Sequence, residues 1–189
     1  MVIVEWHPYA HDTFNINPDD SIRVSRYQHN PGQPSLILDG YLEVVMPSDP
    51  VRYADEFNNA VVGAKSTASY AFIEAVGAAD SVQGSLVVRV AIDSAAPGTQ
   101  PTLYCVVTED SLTDPLGGTS NRVARQFLPD MNGIPLNLAR GDTLSDTLAF
   151  DVSGHAPRHT RAVIFIEDAA AAEPHRVLQA ATVRFTEDK

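Results

Sequence analysis

The chain has 189 residues, 44% hydrophobic and 20% charged, with a formal net charge of −11. This is globular composition, neither disordered nor membrane-like, and no apolar run approaches the ~20 residues of a membrane-crossing helix. An acidic chain without a basic patch argues against nucleic acid and anionic membrane surfaces as partners, and the single cysteine, Cys105, excludes an internal disulfide and a multi-cysteine zinc site.

In chain order, "MVIVEWHPY" lacks the basic start and long apolar core of a signal peptide. Its "VIVEWH" reads as a strand buried on both faces. Asn17-Pro18, followed by Asp19 and Asp20, gives an N-cap, a proline at the first helical position and acids in the first turn. Arg23, Arg26 and His29 sit toward the other end, where cations suit the helix dipole. A helix from about Pro18 to Gln28 is expected. The turn "NPGQP" leads into a strand, "SLILDG", and "YLEVVMP" reads as the next strand. Asp49-Pro50 repeats the cap-plus-proline pattern. Tyr53, Phe57 and Val61 then recur every four residues, which predicts a helix burying one stripe and ending near Gly63.

From about Ser66 apolar and polar residues alternate. "SYAFIEAV", "SLVVRVAID", "TLYCVVTE", "TLSDTLAFDV", "TRAVIFIED" and "RVLQAATVRF" read as short strands separated by turns such as "AAPGTQP", "SGHAP" and "AAAEP". Leu86, Val88, Val90 and Ile92 share one face, as do Leu103, Cys105 and Val107. Six or seven such strands indicate an antiparallel immunoglobulin-like β-sandwich. The fold class expected is therefore α+β, with an α/β segment over residues 1–65 and a β-sandwich over residues 66–189.

Four places carry residues capable of chemistry. In "HPYAHD", His7, His11 and Asp12, with His29, are metal-ligand types. Pro8 disrupts a helical pair, however, and a complete zinc set needs three or four convergent ligands. In "DTFNINPDD", Asp12, Asn15, Asn17, Asp19 and Asp20 offer oxygens. The spacing is not that of a calcium loop, and helix capping already accounts for them. Cys105 faces the same way as Leu103 and Val107, which reads as core rather than nucleophile. The stretch "TEDSLTDPLGGTSNRVARQFLPDMNG" reads as a long loop. Gly117-Gly118 there lacks the Lys-Ser/Thr ending of a phosphate loop. Arg122 and Arg125 would meet an anionic partner or pair with Glu109, Asp110 or Asp114. No nucleophile–base arrangement can be assembled from the spacing.

The segment running from "EWHP" through a helix ending "RYQHN" to "GQPSLILDG" and a last helix resembles the second half of a thioredoxin-like domain. "YCVVTED", "NRVARQFLPDMNGIPL" and "RAVIFIEDAAAAEPHRVLQAATV" extend the resemblance to the Omp-type thioredoxin-like proteins of the bacterial envelope, in which a β-sandwich follows that domain. A secreted thioredoxin-like family with a similar "PS…DG" segment is the second resemblance. The thioredoxin-like resemblance implies that Pro34 is a cis-proline beside Gln33, forming with His7 one wall of a binding site. The first 65 residues would then be a partial thioredoxin-like segment. The redox Cys-x-x-Cys of such domains is absent from this sequence. The expectation is therefore a fragment or late-start version of a longer protein, or a chain whose exposed "VIVEWH" edge is covered by homodimerisation.

These readings lead to a non-catalytic binding or structural protein of the cell envelope, without cofactor or metal. Its partner would be a protein or peptide. The alternative is the C-terminal part of a thiol–disulfide oxidoreductase whose cysteines lie upstream. Exchange needs a pair of thiols, so no dithiol turnover is expected of a chain holding only Cys105.

Overall fold

In a computed structural model, the structure describes residues 2–6, 14, 35–40, 42–45, 50–66, 68–94, 100–113, 117–153, 155, 157–168 and 175–187. Alternation in the sequence becomes two packed sheets. The first takes β3 (Ala71–Ala79), β4 (Gln83–Ile92), β10 (Thr143–Asp151) and β13 (Thr186–Glu187), in the order β10-β4-β3-β13. The second takes β5 (Pro101–Glu109), β8 (Val123–Leu128), β11 (Thr160–Asp168) and β12 (Val177–Arg184), in the order β12-β11-β5-β8, with β9 (Ile134–Pro135) also on β5. The chain crosses between sheets after β4, β9, β10 and β12. A short β6–β7 ribbon (Leu112–Thr113 with Thr119–Ser120) projects from the end of β5. Pairing is antiparallel except where β13 runs parallel to β3.

The inner faces make one core. Ile73, Leu86, Val88, Val90 and Ile92 of the first sheet meet Leu103, Cys105, Val107, Leu128, Ile164 and Ile166 of the second. Burying a side chain of this size contributes about 1.5–3 kcal/mol. At one end the first sheet carries glycines instead of side chains. Phe150 lies over Gly84, its cross-strand partner, and Phe185 over Gly77. The two rings touch at a centroid distance of 4.5 Å.

The second sheet is buried on its outer face too. Tyr104, Val106, Ala124, Phe127, Val163 and Phe165 form a second cluster there, with Val2, Val4 and Trp6 packed against it. Trp6 stacks on Phe127 at 5.6 Å. Residues 2–6 are therefore largely apolar because they lie along one sheet face, not because they form a strand buried on both faces. Their pairing is one parallel bridge, Glu5 with Val123 at the edge of β8. The Glu5 amide donates to the Arg122 carbonyl at 2.9 Å, and the Glu5 carbonyl accepts from the Ala124 amide at 3.0 Å. The backbone edge expected to be open at this residue is thus occupied.

Ahead of the sandwich, β1 (Ser35–Leu38) and β2 (Leu42–Val45) form an antiparallel hairpin. Its turn puts Asp39 and Gly40 at φ 49° and 76°, a left-handed geometry that Asp and Gly tolerate best. The Asp39 carbonyl accepts from the Val177 amide at 2.7 Å, which docks the hairpin tip on β12. Helix α1 (Pro50–Lys65) starts at the predicted proline and runs two residues past Gly63. Tyr53, Phe57 and Val61 are its half-buried stripe, with Tyr53 stacked on Phe57.

The expected class is corrected on this evidence of strand content. Among the described residues 55% lie in strands and 13% in helix, so the fold is largely β rather than α+β with a partial thioredoxin-like segment. The physical reason lies in how the leading apolar run is buried. It covers a face of the sandwich instead of nucleating a parallel sheet of its own. The helix expected over Pro18–Gln28 falls outside the described residues. The long loop after β5 also differs from expectation, because it contains β8. A bulge hid that strand: Val107 pairs with Gln126 and Thr108 with Ala124, so Arg125 is an extra residue that breaks the alternation.

Candidate functional site

Strand β5 is central in its sheet, flanked by β11 on one side and β8 on the other. Whatever ends β5 is therefore approached from both neighbours. It ends in Glu109, with Asp110 next; Glu109 is met by an arginine and a histidine, Asp110 by two arginines. Glu109 is buried; its Oε2 lies 2.9 Å from His155 Nδ1 and 3.5 Å from Arg125 Nε. Arg125 reaches it because the bulge re-aims that side chain. Asp110 pairs with Arg161 at the start of β11 and with Arg122 Nε at 3.4 Å, and its Oδ1 accepts the Arg122 amide at 2.9 Å. The Asp110 amide donates to the His159 carbonyl at 2.9 Å, tying in the loop before β11.

Arg122 sits at φ 64° and Ser111 at φ 62°. Each is held by a side chain: Asp110 takes the Arg122 amide, and Asn121 Oδ1 takes the Ser111 amide at 3.0 Å. These bonds offset a left-handed geometry that costs a non-glycine residue on the order of 1–2 kcal/mol. Ser120 Oγ adds a 3.3 Å bond to Glu5 Oε1, so the network also fixes the N-terminal segment. Chemically, these ion pairs and hydrogen bonds tie strand ends together. Of the two alternatives weighed from the sequence for Arg122 and Arg125, pairing with Asp110 and Glu109 is the arrangement found.

The remaining candidates separate clearly. Cys105 is fully buried, and burial first, then the charge of Asp146, pushes its thiol up to about 12. A thiol so placed is not a nucleophile at neutral pH. Gly117, at φ 85°, belongs to the turn region of the β6–β7 ribbon. His7, Gln33 and Pro34 lie outside the described residues, as do His11, Asp12, Asn15, Asn17, Asp19, Asp20 and His29. The cis X-Pro bond among the described residues is Leu128–Pro129. No group of three or more His, Cys, Asp or Glu side chains is placed to hold a metal among the described residues. No described helix is long and apolar enough to cross a membrane.

Two features escaped the sequence. Arg161 and His155 belong to the charge network, yet nothing in their spacing places them 51 and 46 residues from their partners. The other is the outer face of the first sheet, where Phe72, Val76 and Val87 are 59%, 71% and 44% exposed. The pattern did hold a trace of it. These apolar residues sit out of phase with the inward set of Ile73, Leu86, Val88 and Val90. Near one end of this face, Ser69, Phe72, Asp93, Asp142 and Gln179 line a shallow open hollow. Gln179 Nε2 spans the sheets there, donating to Ser69 Oγ at 2.8 Å and the Ala71 carbonyl at 2.9 Å.

No family model matches the chain, and no curated protein matches it. Among solved structures it is similar to HBP35 of Porphyromonas gingivalis, with a TM-score of 0.71 at 16% identity over 89% of this chain. The chain spans 58% of that protein's length. It is also similar to a domain of the outer membrane lipoprotein Omp28 from Porphyromonas gingivalis, with a TM-score of 0.48 at 14% identity, over 65% of this chain and 93% of that one. The first likeness shows a shared fold.

Proposed function

We propose that the chain is a non-catalytic binding or structural protein of the bacterial cell envelope, acting through the surface of its β-sandwich. The observation that carries this reading is where its reactive and apolar groups lie. Cys105 is sealed in the core, and Glu109 and Asp110 are saturated by His155, Arg125, Arg122 and Arg161. Phe72, Val76 and Val87, by contrast, stand exposed together on one sheet face. An apolar cluster on a soluble surface marks an interaction site more often than scattered exposed residues do.

The envelope assignment rests on the resemblance of "YCVVTED" and the segments after it to Omp-type exported proteins, together with the fold shared with HBP35. A thiol–disulfide activity finds no support in this chain's own thiol. Fractionation of cells that make the protein tests the location: recovery with the envelope fraction is expected, and recovery in the cytosol overturns the envelope assignment.

A further inference from the structure

The exposed face of the first sheet is ordered in rungs. Phe72 is the cross-strand partner of Ala91, Glu74 of Arg89, and Val76 of Val87. The middle rung is an ion pair, Arg89 Nη1 to Glu74 Oε2 at 3.5 Å, with both side chains more than half exposed. Thr143, Ser145 and Thr147 of β10 flank these rungs with small hydroxyls. The face therefore reads apolar, charged, apolar along two strands, and its charges cancel. The chain as a whole carries −11. Two copies repel each other over most of their surface, but not across this neutral patch.

The charges are also self-complementary. A two-fold axis parallel to the strands, between β3 and β4, lays β3 of one copy over β4 of the other. Glu74 then meets the second copy's arginine at position 89, and Arg89 its glutamate at position 74. Val76 faces the second copy's Val87, and Phe72 faces Ala91. Face-to-face packing of sheets with aligned strands is an ordinary geometry, and a two-fold contact must be complementary to itself. We infer that this face is where the chain pairs with a second copy of itself, through the Phe72–Ala91, Glu74–Arg89 and Val76–Val87 rungs. This inference rests on reading the face as an interaction surface. It names a different surface from the N-terminal edge, where Glu5 already bonds to β8.

Sedimentation across a dilution series tests the pairing on the whole chain. The wild type is expected to form a concentration-dependent dimer. Glu74→Arg gives a face with two arginines, and Arg89→Glu a face with two glutamates. Each alone should weaken the dimer by about tenfold or more through like-charge contact. Mixing the two variants should restore it as a heterodimer. Val76→Thr, which preserves shape and strand preference, should weaken the dimer without introducing charge. All three sites are exposed, so circular dichroism should match wild type; melting should fall slightly in the two charge variants, which set like charges opposite each other on β3 and β4. A wild type that stays monomeric overturns the inference. So does a dimer that none of the three substitutions weakens, or a mixture that associates no better than its components. The fractionation readout is separate, so self-association can fail while the envelope assignment stands.

Discussion

Gly84→Ala isolates the aromatic packing at the end of the sandwich. A Cβ built at Gly84 falls on the Phe150 ring, 2.5 Å from Cε2 and 2.7 Å from Cε1. Phe150 cannot simply retreat, because it abuts Phe185, whose ring covers Gly77; a Cβ at Gly77 would lie 2.5 Å from its Cε1. Overpacking of this kind costs about 1–3 kcal/mol. Replacing glycine lowers the entropy of the unfolded chain and returns about 0.4–1 kcal/mol. The net loss expected is about 1–2 kcal/mol, or a fall in Tm of about 3–6 °C for a chain of this size. Gly63→Ala is the internal control. Gly63 lies in α1 with nothing within 4 Å of an added Cβ, so alanine there should raise stability by up to about 1 kcal/mol. Urea and thermal unfolding of both variants provide the measurement. The double variant Gly84→Ala/Phe150→Leu should lose less than the sum of its parts, because the shorter side chain vacates the contested space. If Gly84→Ala melts as high as Gly63→Ala, the ring-over-glycine account is wrong.

Asp110→Ala should destabilise the fold by about 3 kcal/mol, since it strands the buried guanidinium of Arg161 and frees the left-handed Arg122 amide; denaturant titration checks this. Cys105 should resist thiol reagents in the native state and react on denaturation, because burial pushes its thiol up to about 12; rapid native labelling would contradict its place in the core. Burial raises the Asp39 carboxyl above its ordinary value, partly opposed by Arg176. A raised acid in the fold means that the folded state holds its proton more tightly, so its charge opposes folding as pH rises through the carboxylate range. Asp39→Asn, which keeps a residue tolerant of φ 49°, should therefore melt higher than wild type near pH 7. The difference should vanish below the ordinary carboxylate pKa of about 4, as melting curves across pH will show.

How much was legible follows from the range of each signal. The two-residue period marked the strands at Leu86–Ile92, Leu103–Val107 and Leu144–Val152, and the cap and proline at Asp49-Pro50 marked the start of α1. These are local properties of the backbone, written within a few residues. β8 was lost because one extra residue, Arg125, breaks the period, and only the pairing with β5 reveals a bulge. The "VIVEWH" run was read as a strand buried on both faces; residues 2–6 instead lie half-buried along one sheet face, with Ile3 38% exposed. Hydrophobicity records that a segment leaves water; it does not record which surface covers it.

The charge network shows the same division. Glu109 and Asp110 were named from the sequence as partners for Arg122 and Arg125, which lie within sixteen residues of them. Arg161 and His155 come from other strands and loops, brought in only because β11 lies against β5. The sequence by itself determined the long alternating strands other than β8, the buried thiol and the acidic surface. Tertiary structure alone decided which sheet face is covered and which is open, because that depends on contacts between segments far apart in the chain.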